Sequence, residues 1–552
     1  MHRWPCSPEP GAVPLTARVD TIALTGIRAV PVEVQVAISA GLPAFAVVGL
    51  GDKAVTEARE RVRAALGRLG LTLPARRILV NLAPAGLAKE GSHYDLPIAL
   101  ALMLGIGALP SGVLDGHLAL GELALDGTLA AVAGVLPAAV LAAETGRRII
   151  CPAASAEEAA WAGDRHAVIA APDLLGLLGH LTGRSTLPTP PEPRLDGEPP
   201  LPDMADIRGQ PVARRALEIA AAGRHNLLMI GPPGAGKSML ARRLPGLLPP
   251  LAPAESLDLC LIESVAGRGQ VRPRISRPFR DPHHSASAAA LVGGGNRARP
   301  GEISLAHGGV LFLDELPEFA RPTLEALRQP VESGEAVVSR AAMHVSYPAR
   351  VQLLAAMNPC RCGHVADPML ACNRAPRCAA DYQSRLSGPL LDRFDMTIEL
   401  APTPPAAILA HGPGEASAPI RARVLAARAR ADARNRGLAG LDDTPAHLRR
   451  PMTNAELEGT ALDQAAALDE PARELMLRAS ERLRLSARGV TRVLRVALTI
   501  ADLAGRQRIG RPQLSEALAY RRPPGPAAGL RAAAGPPRDR GGPHARPSHP
   551  PQ

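Results

Sequence analysis

The chain has 552 residues, 46% of them hydrophobic, which excludes wholesale disorder and leaves room for several domains of about 100–200 residues each. Aromatics are only 2% of the sequence, so the cores must be built from Leu, Val, Ile and Ala, and a base-stacking aromatic platform is not expected. The formal charge of +11 points to a polyanionic partner, although six arginines against one Asp in residues 521–552 supply part of it. Met1–Pro10 carries no apolar signal-like stretch, and the longest apolar run, Leu96–Leu109, is short of the ~20 residues needed to cross a bilayer. Seven cysteines, an odd number, do not read as a secreted disulfide framework, so a cytoplasmic protein without membrane contact is expected.

In chain order, strand-like runs at Val32–Ile38, Ala44–Val48, Arg77–Asn81, Gly116–Leu120 and Arg148–Cys151 alternate with helical ones at Lys53–Leu69, Leu96–Leu104, Gly134–Thr145 and Ala156–Ala162. This predicts an α/β domain over 1–183. Ser185–Pro202 holds seven prolines and reads as a linker within 184–203. A second α/β pattern spans 204–402, with strands expected at Asn226–Ile230, Val310–Leu313 and Val351–Ala356. Residues 403–522 have helical periodicity, clearest at Pro471–Leu485 and Val490–Leu503, and 523–552 read as a disordered basic tail.

The chemistry begins after Asn226–Ile230. Gly231-Pro232-Pro233-Gly234-Ala235-Gly236-Lys237-Ser238 satisfies G-x-x-x-x-G-K-[ST] between a strand and a helix. Its glycines let backbone N–H groups turn inward around a β-phosphate, Lys237 neutralises β/γ oxygens, and Ser238 offers a hydroxyl to Mg²⁺. Val310–Leu313 then delivers Asp314, suited to the Mg²⁺ shell, and Glu315, suited to polarising the attacking water. A third strand ends at Asn358, which can touch the γ-phosphate or water from the neighbouring strand. The cofactors implied are ATP and Mg²⁺.

These elements, with Ser387–Asp395 (SGPLLDRFD), resemble AAA+ ATPases of the magnesium-chelatase/MCM-helicase branch. The stretches RPFRDPHHSAS (277–287), LVGGGNRARPGEISLAHGGVLFLDELPEF (291–319), LEALRQPVESGEAVVSR (324–340) and AAMNPCRCG (355–363) make the resemblance closest to the YifB/ComM family of magnesium-chelatase-like proteins, over residues 15–520. The resemblance implies three parts. They are an N-terminal Lon-protease-like (ribosomal S5 domain 2-like) domain, an AAA+ P-loop ATPase core and an α-helical C-terminal lid of the magnesium-chelatase type. It further implies Asn358 as sensor 1, Arg393 as an arginine finger reaching a neighbouring subunit, and Arg488 as the sensor 2 arginine, with Arg492 as rival. Because such a finger works only in trans, a homo-oligomeric ring is implied, a hexamer by analogy with a family member that drives DNA branch migration during natural transformation.

Arg268–Arg299 holds seven arginines against Asp281 alone. These either grip phosphates without reading sequence, Arg297 and Arg299 foremost, or serve subunit interfaces. Glu335–Arg340 and His344–Pro348 read as a hairpin whose Arg340 takes the place of a basic DNA-contacting residue in the helicase relatives. His283 and His284, being adjacent, suit a structural or phosphate-contact role better than a shared metal ion. Cys360-x-Cys362-x₉-Cys372-x₅-Cys378 offers either a tetrahedral structural Zn²⁺ site or four reduced thiols. In the Lon-like domain, His93 stands where the serine nucleophile would be and Leu136 near the lysine base, so Ser92 lacks activation and a non-proteolytic domain is expected. The functional expectation is an ATP-driven ring-forming motor on single-stranded or branched DNA, a branch-migration helicase. The alternatives are a chelatase-type AAA+ remodeller of a protein partner and, less in keeping with Ser92, an ATP-dependent protease.

Overall fold

A computed structural model of the chain describes residues 16–521, apart from 50, 195–196, 198–199, 269–270, 296–297, 341–342, 366–368, 403–411, 413, 442 and 446–448. Backbone alone is described at 340 and 343. The expectations on Met1–Pro10, on the tail 523–552 and on Arg297 therefore lie outside the described residues.

The first domain is built on a seven-stranded mixed sheet, in the order Ala44–Val48, Arg77–Ala83, Arg28–Ser39, Thr16–Thr25, His117–Ala119, Arg148–Pro152, Val168–Ala171. Thr16–Thr25 and Arg28–Ser39 form a long antiparallel hairpin closed by Thr25 opposite Arg28. The sequence pattern missed Thr16–Thr25, because its buried face at the start is Ala17, Val19 and Thr21, too small and polar to stand out against Arg18 and Asp20. The helix Asp95–Gly105 is sheathed on all sides, with Leu96 through Met103 buried. Its first-turn Asp95 is fully buried and satisfied by two hydrogen bonds from Arg61, at 2.6 and 2.9 Å, and one from the Leu123 N–H.

The second sheet has five parallel strands, in the order Phe279–Arg280, Val310–Leu313, Gln352–Met357, Leu227–Ile230, Met396–Glu399. The three central strands are buried along their whole length, as continuous Val/Leu/Ile/Ala runs require. Parallel strands put all their carboxyl ends on one edge, which gathers the loops after residues 230, 313 and 357. The C-terminal helices Ser417–Ala439, Glu470–Leu483, Ala487–Leu503 and Arg511–Ala519 share a core with the helix Pro211–Gly223, through Leu217, Ile420, Val424, Val496 and Ile500. Among the described residues, no helix is long and apolar enough to cross a membrane.

The two α/β domains meet where the helix Val135–Glu144 of the first packs on Pro253–Ala266 of the second. Glu158 is the polar centre of that contact: one carboxylate oxygen accepts from the Ser264 hydroxyl at 2.5 Å and from the Leu136 N–H at 3.1 Å. Burial pushes its carboxyl up to about 6.

Candidate nucleotide site and its opposite arginine edge

The turn after Ile230 winds into the helix Lys237–Ala241, with Gly234 and Gly236 both at left-handed φ, 76° and 87°. That conformation aims successive N–H groups inward and is closed to most side chains. Lys237 is nearly buried, and its ammonium donates to the Gly231 and Pro232 carbonyls at 2.7 and 3.0 Å and to Asn358 Oδ1 at 3.0 Å. Burial draws its pKa below the ordinary lysine value, against the opposing pull of Asp314 and Glu315. Ser238 donates to Asp314 Oδ2 at 2.6 Å, so a hydroxyl and a carboxylate oxygen stand side by side as a hard-oxygen pair of the kind Mg²⁺ prefers. The spacing-based residues Lys237, Ser238, Asp314 and Asn358 are thus brought together on one edge by three adjacent strands.

Glu315 has a left-handed backbone, φ 51° and ψ 46°, and its side chain is half exposed. His284 Nδ1 lies 3.4 Å from Glu315 Oε2, while the His283 and His284 rings meet tilted at 33°, their centroids 4.1 Å apart. Sequence reasoning did not foresee this contact. His284 follows the edge strand Phe279–Arg280, and only the pairing of that strand with Val310–Leu313 brings the two residues together.

Arg393 lies elsewhere. It precedes Met396–Glu399, whose Met396 is beside Leu227 at the start of the strand leading to the phosphate loop. Its carbonyl accepts from Asn226 Nδ2 at 2.9 Å, and its guanidinium pairs with Glu332. It is therefore on the amino-terminal edge of the sheet, about 13 Å of strand away from the phosphate loop of its own chain. Arg488 joins the same edge, 3.8 Å from Glu332, and Arg492 lies 3.5 Å from Asp392 and 3.7 Å from Asp395. A cleft there is lined by Arg224, Arg350, Arg393, Arg488, Arg492 and Arg495, among others.

The arginine-rich window 268–299 behaves differently from a loose phosphate-gripping loop. Arg268 and Arg280 both pair with Glu302, at 2.9 and 2.6 Å, Arg272 with Glu157, Arg277 with Glu255 and Arg274 with Glu263. Their acidic partners sit outside the window or in the other domain, which is why the window alone looked uncompensated. Arg299 is exposed at a cleft of about 490 Å³ between the domains, shared with Ser92, Glu122, Glu158 and Tyr347. Arg340 ends the first strand of the antiparallel hairpin Glu335–Arg340/Met343–Pro348, at its tip.

In the first domain, the Ser92 hydroxyl donates to the Glu122 carboxylate, His93 is buried against the Ile22 carbonyl at 3.0 Å, and Leu136 is buried. The Cys360, Cys362 and Cys378 sulfurs all lie within 4.8 Å of one another, and the free thiol of Cys372 shares hydrogen bonds with those of Cys362 and Cys378. His283 and His284 are not part of this group.

The family model described as magnesium chelatase, subunit ChlI, matches residues 203–408, its C-terminal counterpart matches 414–521, and the model described as subunit ChlI of Mg-chelatase matches 34–155. Competence protein ComM of Haemophilus influenzae is 44% identical over 514 residues, covering 92% of this chain and 97% of that protein. The uncharacterized protein YifB of Escherichia coli is 44% identical over 510 residues, covering 91% and 96%. The magnesium-chelatase 38 kDa subunit of Cereibacter sphaeroides is 24% identical over 212 residues, covering 35% of this chain and 57% of that subunit.

Proposed function

The chain belongs to the YifB/ComM family of magnesium-chelatase-like AAA+ ATPases, and from that premise we propose that it is a ring-forming, ATP-hydrolysing motor on DNA, a branch-migration helicase of natural transformation. One observation carries the reading. The phosphate loop and Arg393 occupy opposite edges of one sheet, so a chain cannot complete its own pocket and two chains stacked edge to edge can. Repeating that head-to-tail contact closes a ring, by analogy a hexamer.

In this mechanism the loop 231–238 cradles the β-phosphate, and Lys237 exchanges its carbonyl partners for β/γ oxygens. Ser238 and Asp314 hold Mg²⁺, which supplies charge neutralisation when bound. Glu315 polarises the attacking water and Asn358 orients it. Arg393 of one chain stabilises the transition-state charge in its neighbour's pocket, and Arg488, on the same edge, faces the same nucleotide. Hydrolysis then displaces the hairpin ending at Arg340, which with Arg299 and Arg297 holds the DNA phosphates. The four cysteines hold a structural zinc ion. The Lon-like domain is non-proteolytic, in keeping with a buried Leu136 near the place of the lysine base and with His93 turned to the Ile22 carbonyl. The location is the cytoplasm.

The ion pairing of five arginines within 268–299 favours a second reading, a chelatase-type remodeller of a protein partner, because those guanidiniums are already neutralised. A strand-exchange assay on branched DNA separates the two. The motor reading predicts ATP-dependent branch migration and DNA-stimulated turnover. ATP turnover indifferent to every DNA form, with no strand exchange, contradicts it.

A further inference from the structure

Between Asn358 and Ser384 the described chain has little regular structure beyond the helix Arg377–Gln383, and among the described residues its own core is a small one, Cys360, Val365, Cys378 and Ala379 with Cys362, Cys372 and Ala375 packed against it. So small an apolar cluster does not hold such a segment, and a cross-link is the usual remedy. Yet this segment, with Arg385 just after it, touches all three catalytic loops. Asn358 is two residues before Cys360, and the Pro359 carbonyl accepts from Gln383 Nε2 at 3.0 Å. Gly363, at φ 83°, lies under the phosphate loop so closely that a Cβ there would sit 2.5 Å from Pro233 Cδ. Arg385 Nη1 reaches the Pro317 carbonyl and Glu318 Oε2, both at 3.3 Å, in the turn that follows Glu315.

We propose, building on the zinc reading above, that this cysteine knuckle is a metal-locked wall of the nucleotide site. A zinc ion on Cys360, Cys362, Cys372 and Cys378 fixes Asn358 against Lys237 and seats Gly363 beneath Pro233, which makes the cysteines positioning residues for ATP hydrolysis. Four thiolates around zinc lie about 3.8 Å apart, a short adjustment for the Cys360, Cys362 and Cys378 sulfurs, already within 4.8 Å of one another, and a larger one for Cys372, which stands outside that group and beside Cys362 and Cys378. A zinc tetrathiolate is dianionic, and Arg361, Arg374 and Arg385 flank Cys362, Cys372 and Cys378 along one depression, with Arg374 also paired to Asp381 at 2.7 Å and Arg385 to Glu318 at 3.3 Å. Four sulfurs exclude hard oxygen-seeking cations and suit zinc or iron, and elemental mass spectrometry, which reads both metals, decides for zinc or against it.

The test uses the full chain, its zinc content measured by elemental mass spectrometry beside ATP turnover and binding of a fluorescent ATP analogue. The expected result is one zinc per chain. Cys372→Ser and Cys378→Ser should lose it, with kcat falling about tenfold to a hundredfold while the nucleotide Kd moves less than about threefold. Cys372→His, which preserves a Cys₃His site, should restore both zinc and turnover, and so should zinc added back to chelated wild-type chain. A wild-type chain that takes up no zinc overturns the metal reading. Zinc-free variants turning over at the wild-type rate overturn the positioning role while leaving the metal in place. A zinc-loaded wild type with no ATP turnover refutes the ATPase reading on which the proposal rests.

Discussion

Glu315 combines a left-handed backbone with a half-exposed carboxylate, a local cost of order 1–3 kcal/mol that structures retain where a side chain must be aimed. Glu315→Gln should lower ATP turnover by about 10²-fold or more with nucleotide binding intact, read by steady-state hydrolysis beside analogue binding. Lys237→Ala should instead lose the binding itself, because the loop folds around this ammonium through the Gly231 and Pro232 carbonyls. At this scale the sequence was most legible where chemistry dictates spacing. A phosphate loop needs its glycines at fixed offsets, so Gly231 to Ser238 could be read directly. His284 could not, because its meeting with Glu315 depends on a strand pairing that no local pattern encodes. Nor could the neutralisation of Arg272 by Glu157, whose partners are 115 residues apart.

Whole elements were legible in proportion to their apolar contrast. Val310–Leu313 and Ala44–Val48 have the bounds their sequences suggest, whereas Ser417–Ala439 has none of the usual contrast between faces. Its buried stripe of Ile420, Val424, Ala427 and Ala431 is half alanine, on a helix whose exposed face also carries alanines between arginines. The strand at the centre of the site depends on Phe312, fully buried and stacked on Phe279 at 5.9 Å. Phe312→Ala should cost about 3–5 kcal/mol, measured by denaturant unfolding of the full chain. For the hairpin Glu335–Arg340/Met343–Pro348, Arg340→Glu should abolish DNA stimulation of ATP turnover and leave the unstimulated rate unchanged, since the tip lies away from the phosphate loop's strand in a separate two-stranded sheet.

At the scale of the molecule, two domains are joined through a buried carboxyl. Glu158 binds a proton up to about pH 6 in the folded chain, above the ordinary glutamate range, so the folded form holds the extra proton in that window. Stability should therefore fall as pH rises from about 4.5 to 6 and level off beyond, a difference of about 2 kcal/mol. Glu158→Gln keeps the oxygen that accepts from Ser264 and Leu136, so it should remove that slope in thermal melts taken across the window. The ring is the larger claim, and its basis was only half legible. LLDRFD marks Arg393 in the sequence, but the edge it occupies follows from the order of five strands. Mixing a Lys237→Ala chain with an Arg393→Ala chain tests it most directly. Each alone should be nearly inactive, the second by about 10³-fold, while the mixture should regain ATP turnover because some interfaces then join an intact phosphate loop to an intact arginine. A mixture no more active than its parts, or an Arg393→Ala chain with undiminished turnover, would contradict a pocket shared between chains.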